Sequence, residues 1–185
     1  KKKKINKKIN KNTKLRIFYL GTFTERKGGD ILMDIIKKFD PNKIELSIIT
    51  NGFDLKYLNE IKKFKNKKNL HFFINSNFTT IIKKMLNTHV YLFPSYSEGL
   101  ARTPIEALAC GNYLVTSKIF TDFSNKGFRV SFLDQTKPSL WLKKINQLSN
   151  NHKLISNSFI NNHKKALKYY SNKNFINSYI KIFKI

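Results

Sequence analysis

Short apolar runs alternate with stretches of helical period along most of the chain. Leu15 to Leu20, Ile44 to Thr50, Leu70 to Ile74, Val90 to Phe93 and Tyr113 to Thr116 are brief and rich in apolar side chains, the pattern of buried strands. Between them, Asp30 to Phe39, Leu55 to Phe64, Thr79 to Leu86 and Pro104 to Cys110 carry apolar residues three and four apart, as one face of a helix requires. The boundaries have their own chemistry. Asp40-Pro41-Asn42 stops a helix, Asn51-Gly52 makes a turn, and Pro104 fits a first helical turn, where its missing N–H has no partner to lose.

Strand and helix repeated in this order predict an α/β fold: a single Rossmann-like, doubly wound parallel sheet of about six strands, with helices on both faces. Phe128 to Leu133 is the sixth strand, and C-terminal helices follow over Ser139 to Leu148, Ser156 to Tyr169 and Asn174 to the end of the chain. The last of these sets Phe175, Ile176, Tyr179, Ile180 and Phe183 on one side, spaced to face a partner surface. Residues 1–13, with Lys and Asn repeats and almost no apolar content, read as a basic flexible tail or linker. Residues 14–185 then form one domain, of a size that 185 residues support and two full domains would strain.

Charge widens the choice of ligands. The 36 Lys+Arg against 11 Asp+Glu leave a formal charge of +25, so nucleic acid, an anionic membrane face and a phosphorylated substrate are all electrostatically acceptable. The lysines are spread thinly and accompany many Asn and Ile, which is a general bias more than a selected patch. No helix-turn-helix, zinc or aromatic-platform motif is present, so nucleic acid is not the expected partner. Cys110 is the only cysteine, which excludes an intrachain disulfide and a cysteine-based zinc site. The basic start is followed by too short an apolar run for a signal peptide, and no stretch reaches the length of a membrane span. A cytoplasmic location, with peripheral attachment at a membrane face as a variant of it, is expected.

Ligands of doubly wound sheets bind at the carboxyl ends of strands, so the loops there carry the functional signal. After the first strand comes Leu20-Gly21-Thr22-Phe23-Thr24-Glu25-Arg26-Lys27-Gly28-Gly29, a glycine turn with two cations just ahead of a helix. Such a turn lets backbone N–H groups approach an anion while Lys or Arg stabilises its charge, which outlines a diphosphate site and equally describes an ordinary charged turn. After the fourth strand comes Pro94-Ser95-Tyr96-Ser97-Glu98-Gly99-Leu100-Ala101, then Glu106-Ala107-Leu108-Ala109-Cys110-Gly111. Glu98 and Glu106 are placed to accept paired hydrogen bonds from vicinal hydroxyls; the plainer reading is a solvated loop residue and a first-turn helix charge.

The stretch Pro94 to Gly111 resembles the P-S-x-x-E-G, then E-A-x-A-x-G, signature of the retaining glycosyltransferases of family 4, whose donor-binding domain has a Rossmann-like fold. Leu20 to Gly28, Leu46 to Gly52, Leu70 to Ser76, Val90 to Ser95 and the Tyr169-Tyr170-Ser171 tail are similar to that family's other pieces in the same order. The resemblance implies a domain that binds a UDP- or GDP-sugar and transfers a hexose to a glycan, lipid or protein acceptor. It implies Glu98 and Lys27 as catalytic residues, Lys27 on the donor diphosphate, Glu98 on hydroxyls of the transferred sugar and Glu106 on the ribose. Gly21, Gly99, Leu100 and Ala101 would donate backbone N–H groups, Thr22 and Arg26 would lie along the diphosphate, and Ser76 would belong to the base-contacting loop. The resemblance implies no cofactor and no metal, because a lysine, a helix dipole and backbone amides offset the charge on the leaving group.

The chain departs from that pattern in places. Thr22 stands where the family has an arginine, so Arg26 is the expected second cation; Tyr113-Leu114 replaces a Pro-Val pair, and Lys118 to Lys126 lacks the usual Gly-Gly loop. The acceptor lobe of the family has no room in 185 residues, so that lobe or a partner chain is an expected partner. His71, His89, His152 and His163 are scattered and read as structural or solvent-exposed. Two other readings stay open: a non-catalytic nucleotide-sugar or partner-binding module, and a basic polyanion-binding protein.

Overall fold

The computed structural model describes residues 7, 9–99 and 101–171. Six strands run β1 (Leu15–Leu20), β2 (Ile44–Thr50), β3 (Leu70–Ile74), β4 (Val90–Phe93), β5 (Tyr113–Ser117) and β6 (Val130–Leu133). The helices are α1 (Gly29–Lys38), α2 (Leu55–Ile61), α3 (Phe78–Asn87), α4 (Arg102–Ala109), α5 (Pro138–Ser149) and α6 (His152–Tyr170). The strands form one parallel sheet in the order β3-β2-β1-β4-β5-β6. The expected α/β class and strand number are therefore those of the folded chain.

Two cores sandwich the sheet, because alternate strand residues point to opposite faces. Leu15, Ile17 and Tyr19 of β1 meet Ile31, Leu32 and Ile35 of α1, Trp141 and Ile145 of α5, and Ile155 and Phe159 of α6. Phe18, between them in sequence, joins Tyr91, Met85 of α3, Ala107 and Leu108 of α4, and Ala166 of α6 on the other face. The 19-residue α6 thus serves both cores. It starts four residues earlier than its periodicity indicates, because the Asn151 side chain caps it by accepting the Leu154 N–H at 3.0 Å.

The central strands β2, β4 and β5 are buried almost throughout, whereas β3 at the sheet edge leaves His71 and Ile74 exposed. The helix α4 begins at Arg102, two residues before Pro104, so the proline is third in the helix and still costs no intrahelical bond. Of the basic first segment, Lys7 Nζ donates to Met85 O at 3.0 Å and to Asn112 Oδ1 at 2.5 Å, and Ile9 packs against the core. The amphipathic stretch expected from Asn174 onward lies outside the described residues.

Candidate functional site

β1 and β4 are neighbours in the sheet, yet the chain leaves β1 for a helix on one face and β4 for a helix on the other. Two connections diverging from adjacent strands leave a crevice at their carboxyl ends, the topological switch point of this fold class. A cavity of about 510 Å³ opens there. Its walls come from the β1 turn (Gly21, Thr22, Lys27), the ends of β2 and β3 (Asn51, Asn75, Ser76) and the β4 connection (Ser95, Glu98, Ala101) with the first residues of α4 (Arg102, Thr103). The volume is of the size that ligand pockets for small molecules and cofactors occupy.

The turn after β1 is shaped by close approach. Tyr19 Oη donates to Thr22 O at 2.8 Å, folding the turn over the tyrosine ring, and a Cβ at position 21 would sit 2.9 Å from that same hydroxyl. The Gly21 N–H already donates to Ile49 O at 3.1 Å, so this glycine supplies space and not the backbone donor that the sequence leads one to expect. Gly28 caps α1 in the left-handed region at φ 82°, packed against Pro94, which brings the β1 and β4 connections together.

Across that junction Lys27 Nζ and Glu98 Oε1 form an ion pair at 2.5 Å, with side chains only 20% and 12% exposed. Ser95 Oγ donates to the same carboxylate oxygen at 2.8 Å, and Ser95 is itself held from behind, its carbonyl accepting the Ser117 hydroxyl at 2.5 Å. A lysine and a glutamate distant in sequence are thereby clamped within one pocket. The exposed Arg26 has a different place. Its Nη1 donates to Ser97 O at 3.0 Å and its carbonyl accepts the Tyr96 N–H at 2.9 Å, so it braces the two loops outside the cavity wall.

The remaining expected positions divide. Thr22, Ser76 and Ala101 line the cavity; Gly99 is exposed and does not; Leu100 lies outside the described residues. Glu106 is half-buried and is not part of the wall, one helical turn beyond the lining residue Thr103. Histidine takes no part in the wall. His89 is buried and accepts the Arg16 N–H, and His163 Nδ1 lies 2.6 Å from Ala109 O at the far end of α4. Among the described residues no group of His, Cys, Asp and Glu side chains is arranged to hold a metal ion, and no helix is long and apolar enough to cross a membrane.

Residues 1–166 match the family model described as glycosyl transferases group 1. The chain belongs to that family. Over 141 residues, 74% of its length, this group 1 chain is 28% identical to an uncharacterized glycosyltransferase of Methanocaldococcus jannaschii, and the match covers 38% of that protein. The chain thus spans well under half the length of the curated relative it matches. Among solved structures it is similar to the C-terminal domain of a group 1 glycosyl transferase (LpcC) from Francisella tularensis, with TM-score 0.70 and 16% identity over 85% of this chain and 87% of that one. It also resembles a TarM variant from S. aureus solved with UDP, with TM-score 0.76 and 19% identity over 97% of this chain and 37% of that one. The pneumococcal O-GlcNAc transferase GtfA, solved with UDP and GlcNAc, gives TM-score 0.71 and 16% identity over 92% of this chain and 35% of that one. At such identities the likeness speaks for a shared fold.

Two features of this group 1 site were not legible in its residue spacing. Tyr91 is an ordinary apolar-strand residue by pattern, yet its buried hydroxyl bridges Leu20 O (3.3 Å) and Thr103 Oγ1 (3.0 Å), tying the β1 turn to the start of α4. Burial pushes the Tyr91 and Tyr19 phenols far up, and the negative Glu98 nearby adds to both shifts, so both remain protonated donors at neutral pH. Arg102 is the other. It precedes the helix that the apolar period marks from Pro104, and only the fold makes it the first residue of α4 and brings it to the cavity.

Proposed function

We propose that this chain is the donor-binding domain of a retaining hexosyltransferase that uses a UDP- or GDP-sugar. The observation that carries the reading is the clamped Lys27 and Glu98 pair in a cavity at the β1 and β4 switch point. Lys27 supplies positive charge to the donor diphosphate, and Glu98 accepts hydrogen bonds from hydroxyls of the transferred sugar. The ion pair stores both groups in place before the ligand arrives, so neither side chain has to be ordered at the moment of binding. Gly99, Leu100 and Ala101 are the backbone donors to the phosphates in this reading, Thr22 lies along the diphosphate, and Ser76 meets the base. Glu106, one turn deeper on α4, takes the ribose hydroxyls.

Charge builds on the departing nucleoside diphosphate as the glycosidic bond breaks, and cations with oriented amides offset it without a metal. Front-face attack, in which the leaving phosphate takes the proton of the acceptor hydroxyl, gives retention and needs no carboxylate nucleophile. The acceptor, a glycan, lipid or protein, is bound by a further lobe or a partner chain, and the lysine-rich surface suits work at the anionic cytoplasmic face of a membrane.

Calorimetric titration of the chain with UDP, GDP and their sugars tests this. One nucleotide is expected to bind selectively, about tenfold or more weaker after Lys27→Ala or Glu106→Ala, a loss of about 1.4 kcal/mol per factor of ten. Binding of neither nucleotide by a folded chain would sink the reading. Salt-sensitive binding of oligonucleotides, indifferent to both substitutions, would replace it with polyanion binding.

A further inference from the structure

Among the described residues the cavity wall holds two cations, and they are not in the same state. Lys27 is neutralised by Glu98 at 2.5 Å. Arg102, the first residue of α4, lines the same wall, is exposed, and makes no hydrogen bond or ion pair with any described residue. Arg26 is no competitor for the cavity, because its guanidinium is engaged with Ser97 O outside the wall. The one carboxylate on the helix face of Arg102, Glu106 at the i+4 position, forms no ion pair with it.

We propose that Arg102, and not Arg26, is the second cation of the donor site, receiving the diphosphate of the nucleotide between α4 and the Gly21 turn. The inference rests on the donor-site reading above and adds a residue that the spacing of the sequence did not single out. Three observations converge on it. The Tyr91 hydroxyl fixes the distance between the two walls by bridging Leu20 O and Thr103 Oγ1, so the residue beside Thr103 faces the β1 turn across a set gap. Opposite, a Cβ at Gly21 would meet the Tyr19 hydroxyl at 2.9 Å, so the turn presents bare backbone there, and the Thr22 N–H has no partner among the described residues. A guanidinium fork can grip two phosphate oxygens at once, which one ammonium does not do, and an arginine with no hydrogen bond or ion pair to any described residue breaks none of these when it turns to the ligand.

The test compares the full chain with Arg102→Gln, Arg102→Lys and Arg26→Gln in titrations with the preferred nucleoside diphosphate, its monophosphate and the bare nucleoside. Arg102→Gln is expected to weaken diphosphate binding about 10- to 100-fold, to weaken monophosphate binding less, and to leave the nucleoside within about twofold. Arg102→Lys restores part of the loss, since it returns the charge without the fork. Arg26→Gln has the smaller effect of the two arginine losses. Thermal melts keep the comparison fair, and a variant at an exposed side chain with no hydrogen bond or ion pair to a described residue is expected to melt as the unaltered chain does. Diphosphate binding that Arg102→Gln leaves unchanged, an equal loss for nucleoside and diphosphate, or a larger loss from Arg26→Gln would each overturn the inference while the donor-site reading stands. Failure of the unaltered chain to bind any nucleotide would overturn both.

Discussion

Gly28 shows how much of the site hangs on single backbone positions. It adopts φ 82°, and a Cβ built there would lie 2.6 Å from Pro94 O and 2.7 Å from Pro94 Cβ. The contact is between the two loops that carry Lys27 and Glu98, so a side chain at 28 pushes apart the pair it adjoins. Gly28→Ala is expected to lower the unfolding free energy by about 2–5 kcal/mol, combining left-handed strain with overpacking. Urea denaturation measures it, and an unchanged midpoint would mean the loops yield at no cost. The glycine, the lysine and both glutamates stand out in the sequence because their order and spacing resemble the signature of a known family; by type alone each is an ordinary turn or helix residue. Tyr91 and Arg102 do not, since a tyrosine in a strand and an arginine just ahead of a helix are common, and only neighbours from other elements give them work.

At the scale of elements, α6 is the piece whose placement the sequence leaves most open. Periodicity shows an amphipathic helix but not which part of the sheet it covers. Asn162 decides that. Its buried side chain accepts the Arg129 N–H at 2.7 Å and donates to Asn112 O at 2.8 Å and Arg129 O at 3.0 Å, pinning the helix to the starts of β5 and β6. His163 reaches Ala109 O on the next residue, so α6 also holds the end of α4 whose other end borders the cavity. Asn162→Leu keeps the volume and removes the partners. The backbone groups left buried cost about 1–3 kcal/mol each, so a melting temperature several degrees lower is expected in a calorimetric scan. A variant that melts as the unaltered chain does would show that water replaces the amide.

Over the whole molecule the charge is uneven. Lys43, Lys62, Lys63, Lys65 and Lys68 are exposed near the amino ends of β2 and β3, away from the cavity, and the acids in the cavity wall reduce to Glu98. Some lysines serve the fold: Lys67 Nζ caps α1 by donating to Ile36 O at 2.6 Å and Lys37 O at 2.9 Å, where a helix carries negative charge. A chain at +25 nonetheless repels itself. Raising salt from about 0.05 to 0.5 M is expected to raise the melting temperature by several degrees, because the screening length falls from roughly 14 to 4 Å. A melting temperature that falls instead would mean that ion pairs such as Lys37 with Glu60 outweigh the repulsion.

By itself the sequence determined the class of fold, the order of its strands and helices, and which loops bear the glycines, lysine and glutamates. Local chemistry settles those matters, through apolar period and turn residues. What only the tertiary structure decided was the state of each group. It brought Lys27 to Glu98 across 71 positions of sequence, used up the Gly21 amide on β2, turned Arg26 into a brace and left Arg102 in the cavity wall without an ion pair among the described residues. The reason is physical: whether a polar group is available depends on which partners packing sets within hydrogen-bond reach, and a linear pattern carries no distances between loops.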